Sequence, residues 1–202
     1  MFWGTPDTSV HFCEDKYIVS DYIAEYYNTM SALSYVIVGL LLYKTKLKKL
    51  SIIIILLGIG TALLHGTLRF YGQWVDEITM LILSFYIIQK LRQMRFDVST
   101  SEWYLFPLIL PYFVFERYFS YFFIVFSSLQ IYTYTISRKN YDECTREVYY
   151  LVKAYSTVLV LSSICWVCDQ LFCEYVHEYQ LHAVWHVGTA LALLFGLVGL
   201  II

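Results

Sequence analysis

The sequence contains little charge. Only 15% of its 202 residues are Asp, Glu, Lys or Arg, whereas an average soluble domain has about 25%. The formal net charge of −2 provides no basic surface for nucleic acid. The hydrophobic fraction of 59% excludes a disordered chain and an ordinary soluble domain. The composition therefore favours a protein with several membrane spans.

Other features that are scarce narrow the possibilities further. Five cysteines are too few for a disulfide-rich scaffold, although they are enough for one bridge. Residues 1–25 are polar and acidic and show no apolar signal-peptide core. No linker or low-complexity segment interrupts the chain. We therefore expect residues 1–202 to form a single domain in which residues 1–26 are a lumenal N-terminal segment.

Long apolar runs are abundant. A membrane-spanning helix needs about 20 mostly apolar residues. We place the spans at 27–43, 50–67, 72–90, 103–116, 118–136, 148–171 and 179–202. The charged pair Glu116–Arg117 predicts a tight turn between two short spans rather than one very long helix. The predicted fold class is all-α, a seven-transmembrane helical bundle.

Positive charge predicts how this bundle lies in the membrane. Most lysines and arginines fall in or beside the loops after spans one, three and five. Loops rich in lysine and arginine face the cytosol. We therefore expect a lumenal or exterior N-terminus and a cytosolic C-terminus. Cys13 and Cys173 then share the oxidising side, where either a disulfide or two free, half-buried thiols would be consistent with the sequence.

Several polar residues occupy similar depths within the predicted spans, where ionisable groups are costly and usually functional. His182 and His186 are four residues apart and share one helix face. With His65 they could form the open three-histidine site of a catalytic zinc. The alternative is that each histidine merely packs and forms hydrogen bonds between helices.

Two further side chains could take part in chemistry at such a site. Thr61 lies one helical turn before His65, so its hydroxyl is expected on the same face. Asp76 could orient a histidine or take a proton from water. A bound zinc would lower the pKa of its water to about 7.

Three blocks of sequence, in this order, resemble the alkaline ceramidase family. The first contains CEDKY at 13–17, YIAE at 22–25 and NT at 28–29. The second contains GIGT at 58–61, HGTL at 65–68 and DE at 76–77. The third contains FCE at 172–174 and HAVWH at 182–186. The family has seven spans and a lumenal N-terminus, and its superfamily includes the adiponectin-type receptors.

The resemblance implies hydrolysis of the ceramide amide to a sphingoid base and a fatty acid. It implies zinc held by His65, His182 and His186, with Asp76 as general acid and base. Thr61 stands where the family usually has a serine that helps to hold the oxyanion. The resemblance also implies a Cys13–Cys173 disulfide and, in a eukaryotic host, a location in the endoplasmic reticulum or Golgi.

The sequence departs from the family at a calcium site in the N-terminal segment. The matching positions are His11, Phe12, Glu14, Lys16 and Glu25. His11 replaces an aspartate and Lys16 an asparagine, whereas calcium takes 6–8 oxygen ligands. We predict that no calcium binds and that the Lys16 ammonium takes the ion's place, paired with Glu14 and Glu25.

Other functions fit parts of the pattern. A lipid-binding receptor could retain the zinc site, although little cytosolic surface is left for partners. A hydrolase of another lipid amide or ester would use the same zinc chemistry. A transporter is disfavoured, because there is no inverted repeat and no matching pair of broken spans. The expected partner is a membrane lipid, ceramide, and no protein partner or nucleic acid is evident.

Overall fold

A computed structural model describes residues 1–115, 117–139 and 145–202, and every regular element within them is helical. The α-helices are α1 (Tyr26–Ser31), α2 (Leu33–Leu42), α3 (Lys48–Thr67), α4 (Phe70–Phe96), α5 (Leu105–Phe115), α6 (Phe119–Lys139), α7 (Arg146–Leu171), α8 (Cys173–Val176) and α9 (Leu181–Val198). Short 3-10 turns precede α5, at Glu102–Tyr104, and α9, at His177–Tyr179. The predicted turn at Glu116–Arg117 involves Glu116, which lies outside the described residues.

Three of the described helices, α3, α7 and α9, are long and apolar enough to cross a membrane. Two further apolar stretches are shorter, Tyr26–Leu42 and Glu102–Phe115. Helix α4 runs six residues beyond the predicted end of its apolar run, through a polar, basic turn that ends at Phe96. The helix boundaries thus follow hydrogen bonding, whereas the sequence prediction followed hydrophobicity.

Helix α3 packs between α2 and α4, and α7 packs mainly against α9. The main hydrophobic cluster joins α2, α3, α4 and α9. Glycine permits the closest crossing, since a Cβ on Gly72 of α4 would lie 2.7 Å from the backbone of Leu64 in α3. Near this crossing, Gly60 of α3 lies against the backbone of Asp76 in α4. The contact brings the two helices together where both carry polar residues.

The N-terminal segment contains no helix before Tyr26 and lies against the ends of the bundle. Backbone N–H groups of Ala24 and Glu25 donate to the carbonyls of Gly66 and His65, both at 3.0 Å. A disulfide joins Cys13 to Cys173, the first residue of α8. Of the two alternatives left by compartment alone, the structure has the bridge. The segment is therefore attached to the end of α3 and to the start of α8.

The α3–α4 crossing gives a test of the fold. Replacing Gly72 with Ala places a methyl group against the Leu64 backbone, and overpacking of this kind costs about 1–3 kcal/mol. We expect the melting temperature of the purified protein to fall by several degrees. Gly66→Ala is the matched control, because its Cβ would meet only Thr29 side-chain atoms at 3.7 Å. Equal melting temperatures for the two variants would show that this crossing tolerates a side chain.

Candidate metal centre

Three buried histidines meet at one end of the bundle. His65 comes from the last turn of α3, and His182 and His186 from the first two turns of α9. Nitrogen atoms from all three rings lie within 4.8 Å of one another. The prediction that they share one place is confirmed, and the spacing of four residues puts both α9 histidines on the facing side. Three imidazoles this close could hold a metal ion.

Each of these rings has its Nδ1 atom turned towards an oxygen outside the cluster. His65 Nδ1 lies 2.6 Å from Oε2 of Glu25, and His186 Nδ1 lies 2.8 Å from Oγ of Ser31. His182 Nδ1 is 3.9 Å from Oδ2 of Asp169. The Nδ1 atoms of His65 and His186 are thus engaged in hydrogen bonds, which leaves Nε2 of these two rings to a metal.

Ser31 and Asp169 were not predicted as residues of this site, and Glu25 was predicted to belong to a different one. Ser31 is one of several hydroxyl residues in its span and has no spacing that distinguishes it. Asp169 was visible as an ionisable residue near the end of an apolar run, which was a usable signal. Its proximity to His182 depends on how α7 and α9 pack.

Asp76 and Thr61 lie beside the histidines. Asp76 is buried on α4, and the Thr61 hydroxyl donates a hydrogen bond to its Oδ1. Both residues line the same cavity as the three histidines, which has a volume of about 330 Å³. The prediction that Thr61 lies on the face of His65 is thus confirmed. The Asp76 carboxylate therefore faces the same cavity as the candidate metal ligands.

The neighbouring carboxylate, Glu77, belongs to a separate network. It accepts hydrogen bonds from the Tyr112 hydroxyl at 2.5 Å and from Nε2 of Gln73 at 2.9 Å. The Gln73 side chain also bonds to Ser9 of the N-terminal segment. Glu77 therefore connects α4 to α5 and, through Gln73, to the N-terminal segment.

Lys16 lies among three oxygens of the N-terminal segment. Its Nζ is 2.5 Å from the Phe12 carbonyl, 2.6 Å from the Glu14 carbonyl and 2.6 Å from Oε1 of Glu25. The predicted pairing with Glu25 is present. The Phe12 ring packs against His65 and His182, with centroids 4.5 Å apart in each case. The His11 side chain is exposed, and its backbone carbonyl accepts a hydrogen bond from Nε2 of Gln170.

The predicted pairing of Lys16 with the Glu14 carboxylate is wrong. That carboxylate accepts the backbone N–H groups of Tyr27 and Asn28, at 2.7 and 2.8 Å. These groups begin α1 and have no partner within the helix, so a carboxylate there caps the helix. Burial raises the pKa of Glu14 despite these two hydrogen bonds. Lys16 bonds to the Glu14 carbonyl instead.

Glu25 connects Lys16 to the histidine cluster, because one carboxylate oxygen meets Lys16 and the other meets His65. Burial by itself raises the pKa of Glu25, but the hydrogen bond to His65 and the charge of Lys16 outweigh burial, and the pKa is lowered. The carboxylate is therefore ionised at neutral pH.

The fold and the site together define a class, an all-helical protein whose apolar helices enclose a centre that can hold a metal ion. A model of the ceramidase family matches residues 4–202, and the chain belongs to this family.

Three relatives show how far the similarity extends. An alkaline ceramidase of Arabidopsis thaliana is 29% identical over 208 residues, covering 92% of this chain and 80% of the relative. Alkaline ceramidase 1 of Mus musculus is 26% identical over 225 residues, covering 95% of this chain and 78% of the relative. An alkaline ceramidase of Drosophila melanogaster is 26% identical over 212 residues, covering 91% and 72%. Each of these matches therefore covers more than nine-tenths of this chain.

The environment of Lys16 gives a second test. Replacing Lys16 with Met leaves one oxygen of the fully buried Glu25 without its cation. Breaking a buried ion pair costs about 3–5 kcal/mol, and the cost should be smaller here because the Lys16 side chain is 30% exposed. We expect a clear fall in melting temperature, whereas the same substitution at the exposed Lys46 should have little effect. If both variants melt like the wild type, Lys16 does not stabilise the segment.

Proposed function

We propose that this protein is a zinc-dependent intramembrane hydrolase that cleaves the amide bond of ceramide to a sphingoid base and a free fatty acid. The observation that carries the proposal is the convergence of three buried histidines and the Thr61–Asp76 pair on one cavity. Membership of the ceramidase family, with relatives named alkaline ceramidases, supports the choice of reaction and substrate.

In this proposal residues 1–202 form a single domain of seven spans, with a lumenal N-terminus and a cytosolic C-terminus. The three long apolar helices, the two shorter apolar stretches and the basic loops support this arrangement. The disulfide requires an oxidising compartment and agrees with a lumenal N-terminal segment. In a eukaryotic host we place the protein in the endoplasmic reticulum or Golgi.

The cavities suit a lipid substrate. The cavity at the histidines, of about 330 Å³, shares wall residues with a second cavity of about 620 Å³. Tyr35, Leu57, Met80 and Phe126 are among the shared residues. Most of the lining is apolar, which is typical of a site for a hydrocarbon chain. In the proposed complex the amide lies near the histidines and the chains extend along the apolar walls.

The residues present fit a zinc ion. His65, His182 and His186 would hold it, because three imidazoles are a typical zinc ligand set, and those of His65 and His186 have oxygen partners at their second nitrogens. When bound, zinc would polarise the amide carbonyl and make water more acidic. The buried position of the histidines keeps bulk water from the site.

Side chains of the protein carry out the proton transfers and stabilise the oxyanion. Asp76 takes a proton from the attacking water and returns it to the leaving nitrogen. Thr61 holds Asp76 in place by its hydrogen bond. When the tetrahedral intermediate forms, the Thr61 hydroxyl turns to donate to its oxyanion. Asp76 is thus the general base and then the general acid of the proposed mechanism.

This mechanism predicts different results for two variants. Asp76→Asn should lower fatty-acid release from ceramide by at least 10²-fold, since a general base contributes about 10²–10⁴-fold, and should retain zinc. His186→Ala should lose both zinc and turnover. Release from a panel of ceramides and the zinc content of purified protein are the measurements.

Asp97→Asn is the matched control, because it makes the same change at an exposed residue just beyond α4. Full activity in Asp76→Asn would contradict the acid–base assignment. Zinc in the wild type without release from any ceramide, but with release from another lipid amide or ester, would contradict the substrate. Zinc without release from any lipid would favour a receptor-like protein.

We also propose that Lys16 replaces calcium in the N-terminal segment. Its ammonium is held by two carbonyls and the Glu25 carboxylate, and these oxygens are of the type that calcium prefers. A built-in cation would give the segment its stability without a metal ion.

Calcium titration tests this replacement. The melting temperature of the wild type should not change when calcium or a calcium chelator is added. The double variant His11→Asp/Lys16→Asn removes the ammonium and adds two oxygen-bearing side chains, so calcium should raise its melting temperature in a saturable way. Stabilisation of the wild type by calcium would refute the proposal, as would a double variant that is stable and indifferent to calcium.

A further inference from the structure

His182 differs from the other two histidines of the cluster. His65 and His186 have oxygen partners at hydrogen-bonding distance from Nδ1, at 2.6 and 2.8 Å. The Nδ1 atom of His182 is buried and has no hydrogen-bond partner among the described residues. A buried N–H group without an acceptor costs about 1–3 kcal/mol. The position of His182 therefore requires an acceptor that can reach it.

The nearest carboxylate is that of Asp169, with Oδ2 at 3.9 Å from His182 Nδ1. This is about 1 Å too long for a hydrogen bond between nitrogen and oxygen. Asp169 is only 3% exposed, near the end of α7, so its carboxylate is as deeply buried as the histidine. A buried carboxylate is costly unless it is paired or hydrogen-bonded.

Asp169 is fixed by elements on both sides of it. Its carboxylate lies close to the backbone N–H groups of Cys13 and His182, and Nε2 of Gln170 is 3.4 Å from Oδ2. Cys13 is itself joined to Cys173, four residues after Asp169, by the disulfide. At the start of α9, Gln180 makes no capping hydrogen bond with its side chain, and the Asp169 carboxylate lies next to this helix end. The carboxylate thus joins α7, α9 and the N-terminal segment.

We infer that Asp169 is a positioning residue for His182, whose Nδ1–H it accepts so that Nε2 points into the metal centre. This inference rests on the proposed zinc site. A small rotation of either side chain would bring the two atoms, now 3.9 Å apart, into contact. Each histidine then has its own oxygen partner, from Glu25, Ser31 and Asp169 respectively.

The charge of Asp169 matters as well as its position. A carboxylate that accepts Nδ1–H makes the opposite ring nitrogen a better metal ligand. It also fixes the tautomer, because a proton held on Nδ1 leaves the lone pair on Nε2. Loss of such a partner typically lowers metal affinity 10–100-fold. Asp169 should therefore act on zinc affinity through His182.

Zinc affinity of the full chain, measured in detergent by competition with a chelator, tests this role. Asp169→Asn retains the size of the side chain and an oxygen for the backbone N–H groups but loses the charge. We expect its zinc affinity to fall 10–100-fold and the absorption spectrum of the cobalt(II)-loaded protein to change. Glu174→Gln, which removes a charge from an exposed residue nearby, should change neither.

A double-mutant cycle separates positioning from general stability. In a His182→Ala background, Asp169→Asn should lower zinc affinity no further, because the residue it acts on is gone. Asp169→Glu should restore most of the affinity, since it returns the carboxylate. If the asparagine variant does not fold, Asp169→Ser takes its place, because its hydroxyl still accepts a backbone N–H but is too short to reach the ring.

The outcomes distinguish this inference from the proposed function. A folded Asp169→Asn or Asp169→Ser variant with wild-type zinc affinity and an unchanged cobalt spectrum would overturn the inference and leave the zinc site intact. An equal loss of affinity in the His182→Ala background would also overturn it. A wild type that binds no zinc would overturn both proposals. If Asp169→Asn lowers zinc affinity only when His182 is present, the positioning role is established.

Discussion

The structure depends on one constraint, that three imidazole rings buried side by side each need a hydrogen-bond partner for the second nitrogen. Such partners cannot come from water at this depth. Glu25 before α1 and Ser31 at the end of α1 are the partners of His65 and His186, and Asp169 near the end of α7, 3.9 Å from His182 Nδ1, is the partner inferred for the third ring. The elements that carry them must therefore pack around α3 and α9 in one arrangement. The position of α1 and the path of the N-terminal segment both follow from this requirement.

The N-terminal segment has two physical tasks in this arrangement. It provides Glu25, whose carboxylate has Lys16 on one side and His65 on the other. It also covers the cluster, because the Phe12 ring lies against two of the histidines. A segment without regular secondary structure is normally mobile. Here the disulfide, the backbone bonds to the end of α3 and the Lys16 contacts hold it in place.

Much of the centre could be predicted from sequence, because its strongest signals are local. The spacing of His182 and His186 specifies a shared helix face, and the position of Thr61 relative to His65 does the same. The hydrogen-bond partners of the ring nitrogens were harder to predict from the sequence. Ser31 and Asp169 approach their histidines only through the packing of separate helices, so the position of Asp169 near the end of an apolar run marked it as unusual without indicating its partner.

The helices were predictable to a similar extent. Apolar runs located the stretches that became helical, but the polar end of α4 and the division of residues 172–180 into α8 and a 3-10 turn depend on backbone hydrogen bonds that hydrophobicity does not report. The error at Glu14 has a related cause. A carboxylate close to a lysine in sequence suggests an ion pair. In the structure the Glu14 carboxylate instead accepts hydrogen bonds from the free N–H groups at the start of α1.

The disulfide between Cys13 and Cys173 has a consequence for biosynthesis. Its cysteines are separated by 160 residues, so the bridge cannot close until the chain has been made as far as Cys173, just after α7. The histidines of α9 emerge later still. The centre therefore cannot form until α9 has been made, when α3 and α4 are already part of the growing chain. Oxidation of this cysteine pair is thus a late event that attaches the N-terminal segment, with Phe12 and Glu25, beside the centre.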